Sequence, residues 1–240
     1  MVIAYGKTDI GVNRRMNQDY FYVSTEPVGN LPNIFIVADG MGGHKAGDVA
    51  SREAVNTIIS EISGNTSKDP VSAMEKAIET ANEKLLVKSQ STPEFEGMGT
   101  TLVMAAVCND VIYIANIGDS RLYVIGEEIR QITRDHSFVQ EMVTLGKLDK
   151  NSAKNHEKKN YLTRALGVEK GTMADFFEIK SIKGEKLLMC SDGLTNMVED
   201  DDIKNIVNGE TDIREAVKTL IEVANKNGGM DNITAVLIEP

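Results

Sequence analysis

The sequence predicts an α+β fold built on antiparallel strands, and three observations carry that expectation. Short apolar runs rich in β-branched residues recur through the chain. Two of them, Gly99 to Cys108 and Val111 to Ala115, are separated only by Asn109 and Asp110, a turn that makes a hairpin and hence an antiparallel pair. Two consecutive amphipathic helices follow the first three strands, which lays them side by side across a sheet. The 240 residues contain no Ser-, Pro- or Gly-rich linker, so one domain over 1–240 is expected.

In chain order, Val2 to Thr8 is the first strand. A polar stretch from Asp9 to Asp19 leads into Tyr20 to Val23, the second. Arg14 or Arg15 there can bring a guanidinium to a strand edge, where its planar fork suits a phosphate better than Lys does; a solvated basic turn is the plainer reading. Ile34 to Ala38 is a buried strand that empties into Asp39, Gly40, Met41, Gly42, Gly43 and His44. Glycine lets backbone approach an ion or a phosphate closely, and the Gly40 carbonyl can serve as a ligand. The loop is neither a P-loop, which needs Lys and Ser or Thr after its last glycine, nor a G-x-G-x-x-G dinucleotide loop.

The period then changes. Ala50, Ala54, Val55, Ile58, Ile59 and Ile62 mark a helix that Gly64 can stop. Val71, Met74, Ala77, Ile78, Ala81 and Leu85 mark another, with Asp69 as N-cap and Pro70 in the first turn. After the central hairpin, Asn116 to Arg121 breaks the strand pattern and Leu122 to Ile125 resumes it. A short helix runs through Leu145, capped by Asp135 or Ser137. Gly146 to Asn160 is polar, lysine-rich and aperiodic: a substrate-facing flap or a tolerated insertion. Leu187 to Cys190 then runs into Ser191, Asp192 and Gly193, repeating the strand-then-Asp-Gly pattern. Helical segments cover Asp202 to Asn208 and Ile213 to Asn225, and Gly228, Gly229, Met230, Asp231 and Asn232 lead into a last strand, Ile233 to Ile238.

Composition narrows the function. A formal charge of −10 argues against a nucleic-acid surface and for cations or cationic partners. Cys108 and Cys190, both inside apolar runs, read as reduced core thiols and suggest the cytosol. No zinc pattern, leader or apolar run long enough to span a membrane is visible, and no large exposed apolar repeat suggests more than a monomer.

The chemistry lies in the acids as a set. Asp39, Asp192 and Asp231 each flank a core strand and a glycine, with Asp119 and Asp19 as further candidates, although an acid in Gly-Asp-Ser is commonly just a turn residue. Each close pair of ionised carboxylates would cost on the order of 4 kcal/mol at 4 Å and an effective dielectric near 20. Converging acids therefore protonate, move apart or hold cations. An all-oxygen set without His or Cys suits magnesium or manganese. Two such ions sharing a carboxylate can acidify a water between them, making a nucleophile without a nucleophilic side chain.

Arg14 with Asn17-Gln18-Asp19, Asp39-Gly40-Met41-Gly42-Gly43, Gly99-Thr100-Thr101, Gly118-Asp119-Ser120-Arg121, Leu162 to Gly167, Ser191-Asp192-Gly193 and Asp231-Asn232-Ile233-Thr234 resemble, in order and over essentially the whole chain, the protein phosphatase 2C family. Within it, the chain looks like the small bacterial serine/threonine phosphatases. The resemblance implies a four-layer α-β-β-α sandwich, two stacked antiparallel sheets flanked by helix pairs. It implies a two-metal centre, Mn2+ or Mg2+, in which Asp39 bridges both ions, the Gly40 carbonyl binds one, and Asp192 and Asp231 hold the other. Asp119 with Asp192 matches a third, looser site. Asp19 matches an acid acting on the metals through water, Asn232 stands beside Asp231 as a supporting residue, and Arg14 matches the arginine that grips substrate phosphate.

The implied activity is hydrolysis of phosphoserine and phosphothreonine in proteins by direct attack of a water or hydroxide bridging the metals, reversing a bacterial serine/threonine kinase. Substrate choice would lie in a flap at about 138–160. Animal members carry a histidine where this chain has Met41, as bacterial relatives commonly do, so the acid that protonates the leaving alcohol is unassigned among His44, His136 and metal-bound water. The alternatives are a catalytically silent phosphoprotein-binding module, which would lack metal acids, and an enzyme dedicated to one regulator, which usually carries further domains.

Overall fold

A computed structural model of the protein describes residues 2–43, 46–149, 152–153 and 156–240. Its strands are β1 (Ile3–Asp9), β2 (Asp19–Ser24), β3 (Ile34–Met41), β4 (Gly99–Thr100), β5 (Leu102–Cys108), β6 (Val111–Ile117), β7 (Arg121–Ile125), β8 (Ile129–Gln131), β9 (Asp175–Lys180), β10 (Lys186–Cys190) and β11 (Ile233–Glu239). The helices are α1 (Ala46–Gly64), α2 (Pro70–Ser89), α3 (Phe138–Thr144), α4 (Asp192–Thr195), α5 (Asp200–Gly209) and α6 (Ile213–Lys226). One sheet has the order β1-β11-β10-β7-β8 and the other β2-β3-β5-β6-β9, with β4 beside β3, and neighbouring strands are antiparallel.

Strand periodicity builds the layers. In β3, Ile34, Ile36 and Ala38 join a core under α1 and α2, whereas Phe35 and Val37 enter a core shared with the other sheet. In β11, Ile233, Ala235 and Leu237 pack under α5 and α6, while Val236 and Ile238 face the opposite sheet. Both faces of each central strand are thus covered, giving the expected α-β-β-α sandwich.

Local signals hold where they are strongest. Asp69 caps α2 by accepting from the Ser72 N–H, with Pro70 in the first turn. Ser137, not Asp135, caps α3 by accepting from the Gln140 N–H; Asp135 is occupied by a two-pronged pair with Arg121. Cys190 is buried, which pushes its thiol up to about 12, and Cys108 is half-buried; neither forms a disulfide.

One expectation needs correction. The run Gly99 to Cys108 is two strands, because Thr101 turns aside to receive the Asp39 N–H on Oγ1 and to donate its own N–H to the Asp39 carbonyl. β8 and β9 have no counterpart among the expected elements: both are partly exposed edge strands with one neighbour each, and their longest apolar stretch is Phe176-Phe177. Of the expected flap segment Gly146 to Asn160, residues 150, 151, 154 and 155 lie outside the described residues.

Candidate metal centre

The period-two pleat decides where the acids go. Asp39 continues the β3 face of Phe35 and Val37, and Asp19 continues the β2 face of Phe21 and Val23, so both stand at one end of the core between the sheets. They are direct cross-strand partners. From the other sheet, Ser191 follows the face of Leu187 and Met189, and Thr234 that of Val236. The two hydroxyls meet Asp19: Ser191 Oγ and Thr234 Oγ1 each donate to Asp19 Oδ2 at 2.7 Å. One buried carboxylate therefore ties sheet to sheet, while its Oδ1 is buried with no hydrogen-bond partner.

Asp192 opens α4, where the chain leaves β10. Its Oδ2 accepts from Asn196 Nδ2 at 2.9 Å, and its Oδ1 is likewise buried and without a partner. Asp231 accepts from its neighbour's N–H, Asn232, at 2.8 Å and from Arg14 Nη2 at 2.7 Å. Asp119 lies in the β6–β7 turn after Gly118, whose φ of +95° favours glycine.

The acids raise one another's pKa. Burial, followed by the charges of Asp19 and Asp192, pushes Asp39 well above the carboxylate range. Asp119 is pushed up by burial and by Asp192 and Asp135, against the opposing Arg121. Burial raises Asp19 to about 7, although Ser191 and Thr234 oppose it, and Asp192 and Asp231 add to the rise. Asp192 reaches about 6 through burial and Asp231, with Arg121, Asn196 and Asp39 counteracting.

Among the described residues, no three His, Cys, Asp or Glu side chains are already drawn in around one ion position. The donor set nevertheless fits hard divalent cations: it is all oxygen, two of its buried oxygens lack partners, and its members resist ionising together. The four acids expected as ligands, Asp39, Asp119, Asp192 and Asp231, all belong to this neighbourhood. Gly40 packs on Gly47 at the start of α1, where a Cβ on Gly40 would collide with the Gly47 carbonyl.

Asn232 has a more definite place than its sequence position suggests. It accepts from the Gln18 N–H at 2.8 Å and donates to the carbonyls of Ile10 and Met16, both at 2.9 Å. It thereby fastens the Arg14 loop to Asp231. The parts played by Ser191, Thr234 and Thr101 escaped sequence reasoning, although all three sit inside the motifs; strand parity was the signal that could have found them. His136 accepts the Gly118 N–H on Nδ1, and its Nε2 lies 3.2 Å from Asp175 without hydrogen-bond alignment. That is a structural position supporting the Asp119 turn. His44 lies outside the described residues.

Comparison with known proteins agrees with this geometry. Residues 8–238 match the family model for Protein phosphatase 2C. The chain is 41% identical over 238 residues to the serine/threonine phosphatase stp of Listeria monocytogenes serotype 4b, covering 97% of this chain and 94% of the relative. Its fold is similar to that of the S. agalactiae serine/threonine phosphatase, with a TM-score of 0.93, 34% identity and 99% of each chain covered. It is also similar to the catalytic domain of the phosphatase PstP in complex with two manganese ions, with a TM-score of 0.87, 30% identity, and 99% of this chain and 97% of that one covered. With its acids gathered at one end of a double-sheet sandwich and its whole length matched, the chain belongs to the protein phosphatase 2C family, in the branch of bacterial serine/threonine phosphatases.

Proposed function

We propose that this serine/threonine phosphatase hydrolyses phosphoserine and phosphothreonine in proteins at the Asp39 centre, and that it reverses a serine/threonine kinase. The observation that carries the reading is the gathering of Asp19, Asp39, Asp119, Asp192 and Asp231, whose shared charge is tolerable only with protons or cations. Asp39, the Gly40 carbonyl, Asp192 and Asp231 would hold two divalent cations, Mn2+ or Mg2+, and Asp119 with Asp192 a third, weaker one. Bound there, the cations supply Lewis acidity and lower the pKa of the attacking water.

The protein's own groups do the rest. Asp19, locked by Ser191 and Thr234, offers its partnerless Oδ1 toward the centre as an acceptor that orients water. Arg14, 47% exposed and engaged with Asp231, can exchange one anionic oxygen partner for another and so grip the substrate phosphate. Asn232 keeps that loop in register. Met41 can donate no proton, so the leaving alcohol takes its proton from elsewhere than this position.

A single domain over 1–240, a flap at about 138–160, a cytoplasmic location and a monomeric state complete the proposal. Among the described residues, no helix is long and apolar enough to cross a membrane. The test is release of phosphate from p-nitrophenyl phosphate and a phosphothreonine peptide with manganese, magnesium or chelator, comparing wild type with Asp231→Ala. Metal-dependent release that the variant loses supports the reading. No release from either compound under any metal overturns it and points to a silent phosphoprotein-binding module.

A further inference from the structure

Two buried hydroxyls join the turn that carries Asp119 to the strand that carries Asp39. Thr101 Oγ1 and Ser120 Oγ lie 2.7 Å apart, and both residues are buried. Thr101 grips both polar groups of the Asp39 main chain: it accepts the Asp39 N–H on Oγ1 at 2.9 Å and donates its own N–H to the Asp39 carbonyl at 2.8 Å. Thr100 Oγ1 donates to the same carbonyl at 2.9 Å. Ser120 directly follows Asp119. Two consecutive hydrogen bonds thus run from the Asp39 main chain to the residue beside Asp119.

The approach is close enough to depend on glycine. A Cβ on Gly118 would stand 2.6 Å from Thr101 Cγ2 and 2.7 Å from Thr101 Cβ, so the turn sits on Thr101 only because position 118 has no side chain. The Gly118 end of the turn is held by His136, which donates its N–H to the Gly118 carbonyl at 2.9 Å and accepts the Gly118 N–H on Nδ1 at 3.1 Å. The Ser120 end is tied through its hydroxyl to Thr101. A hydroxyl oxygen can accept twice and donate once, so Thr101 Oγ1 serves Asp39 and Ser120 together, and a methyl in its place would serve neither.

We infer that the Thr101–Ser120 hydroxyl pair is a positioning link that sets Asp119 in register with Asp39, so that the affinity of the third, weaker cation depends on it. The inference rests on the reading above in which Asp119 with Asp192 holds that cation. After burial, the charge of Asp192 acts most strongly on Asp119, and Asp192 Oδ1 is buried with no hydrogen-bond partner. Residues that hold a ligand in place without binding the ion themselves are commonly worth about 10- to 100-fold in metal affinity.

The experiment titrates the whole metal-free chain with Mn2+ by calorimetry. Wild type should show a weak binding step after the tighter ones, and Asp119→Asn should abolish it. Ser120→Ala should weaken that step by roughly 10-fold and leave the tighter steps unchanged, since Thr101 keeps its bond to Asp39. Thr101→Val, which keeps the shape and loses the hydroxyl, should weaken tight and weak steps alike, and adding Ser120→Ala to it should weaken the last step no further, because the two residues form one link. Thr101→Ser, which keeps the hydroxyl, should bind as wild type does. A weak step unchanged in Ser120→Ala, or one weakened there no more than the tighter steps, overturns the inference while the phosphatase reading stands. A wild type without the weak step, or a weak step that survives Asp119→Asn, overturns the third-cation assignment and the inference with it, and no Mn2+ binding at all overturns the two-cation reading as well.

Discussion

Asp19 and Asp39 are direct cross-strand partners on β2 and β3, two carboxyls side by side at the end of the core between the sheets. Like charges so placed destabilise a sheet, and the fold tolerates them by keeping protons on them when cations are absent. Native Asp19 holds its proton up to about 7 instead of the ordinary 3.8. Between those values the native state binds more protons than the unfolded chain, so stability without metal falls as pH rises through that window. Each such proton contributes a slope of up to about 1.4 kcal/mol per pH unit. Asp19→Asn keeps an oxygen for Ser191 and Thr234 and presents an amide to the acids. In chelator it should melt higher than wild type at pH 8, with a flatter melting profile between pH 5 and 8; a lower melting temperature at pH 8 would contradict the account.

Arg14 is bound to Asp231 at 2.7 Å and half-exposed. If it exchanges that partner for substrate phosphate, Arg14→Ala should lower kcat/KM for a phosphopeptide by about 10- to 100-fold, the worth of a charge-assisted hydrogen bond. Arg14→Lys should recover only part of this, since a point charge lacks the fork. Steady-state kinetics on one phosphothreonine peptide decides it, and wild-type values in Arg14→Ala would remove Arg14 from phosphate binding.

Ser191 Oγ serves two buried groups, donating to Asp19 and accepting the Thr234 N–H at 3.0 Å. Ser191→Ala leaves that N–H without its hydroxyl partner and removes a donor that holds the Asp19 pKa down. A loss of about 1–3 kcal/mol in urea unfolding is expected, together with weaker Mn2+ binding by calorimetry. Unchanged stability would show that the sheet-to-sheet tie is dispensable.

Gly193 sits where a Cβ would run into the Asn232 carbonyl and stand 3.4 Å from Asp231 Cβ. Gly193→Ala must therefore push α4 away from the start of β11, separating Asp192 from Asp231. The cost should be about 1–3 kcal/mol of stability, as for other overpacked sites, with a larger proportional loss of metal-dependent turnover than of melting temperature. Equal, small effects on both would show that the backbone relaxes without moving the acids.

Much of this protein is legible in its residues because the signals are local. The apolar run Ile34 to Ala38, the Asp69-Pro70 start of α2 and the 3.6-residue spacing of Ala50 to Ile62 each specify an element through its own neighbours, and the acid-after-strand pattern marks Asp39 and Asp192 as residues at strand ends. The tertiary structure alone decided which strand faces meet. That determines that Ser191 and Thr234 reach Asp19 across the sandwich, that Thr101 leaves its strand to bond Asp39, that Asp231 holds Arg14, and that the weakly patterned edge strand β9 completes a sheet. The reason is physical: a strand's period states which residues share a face, but only the stacking of two sheets states what lies opposite that face.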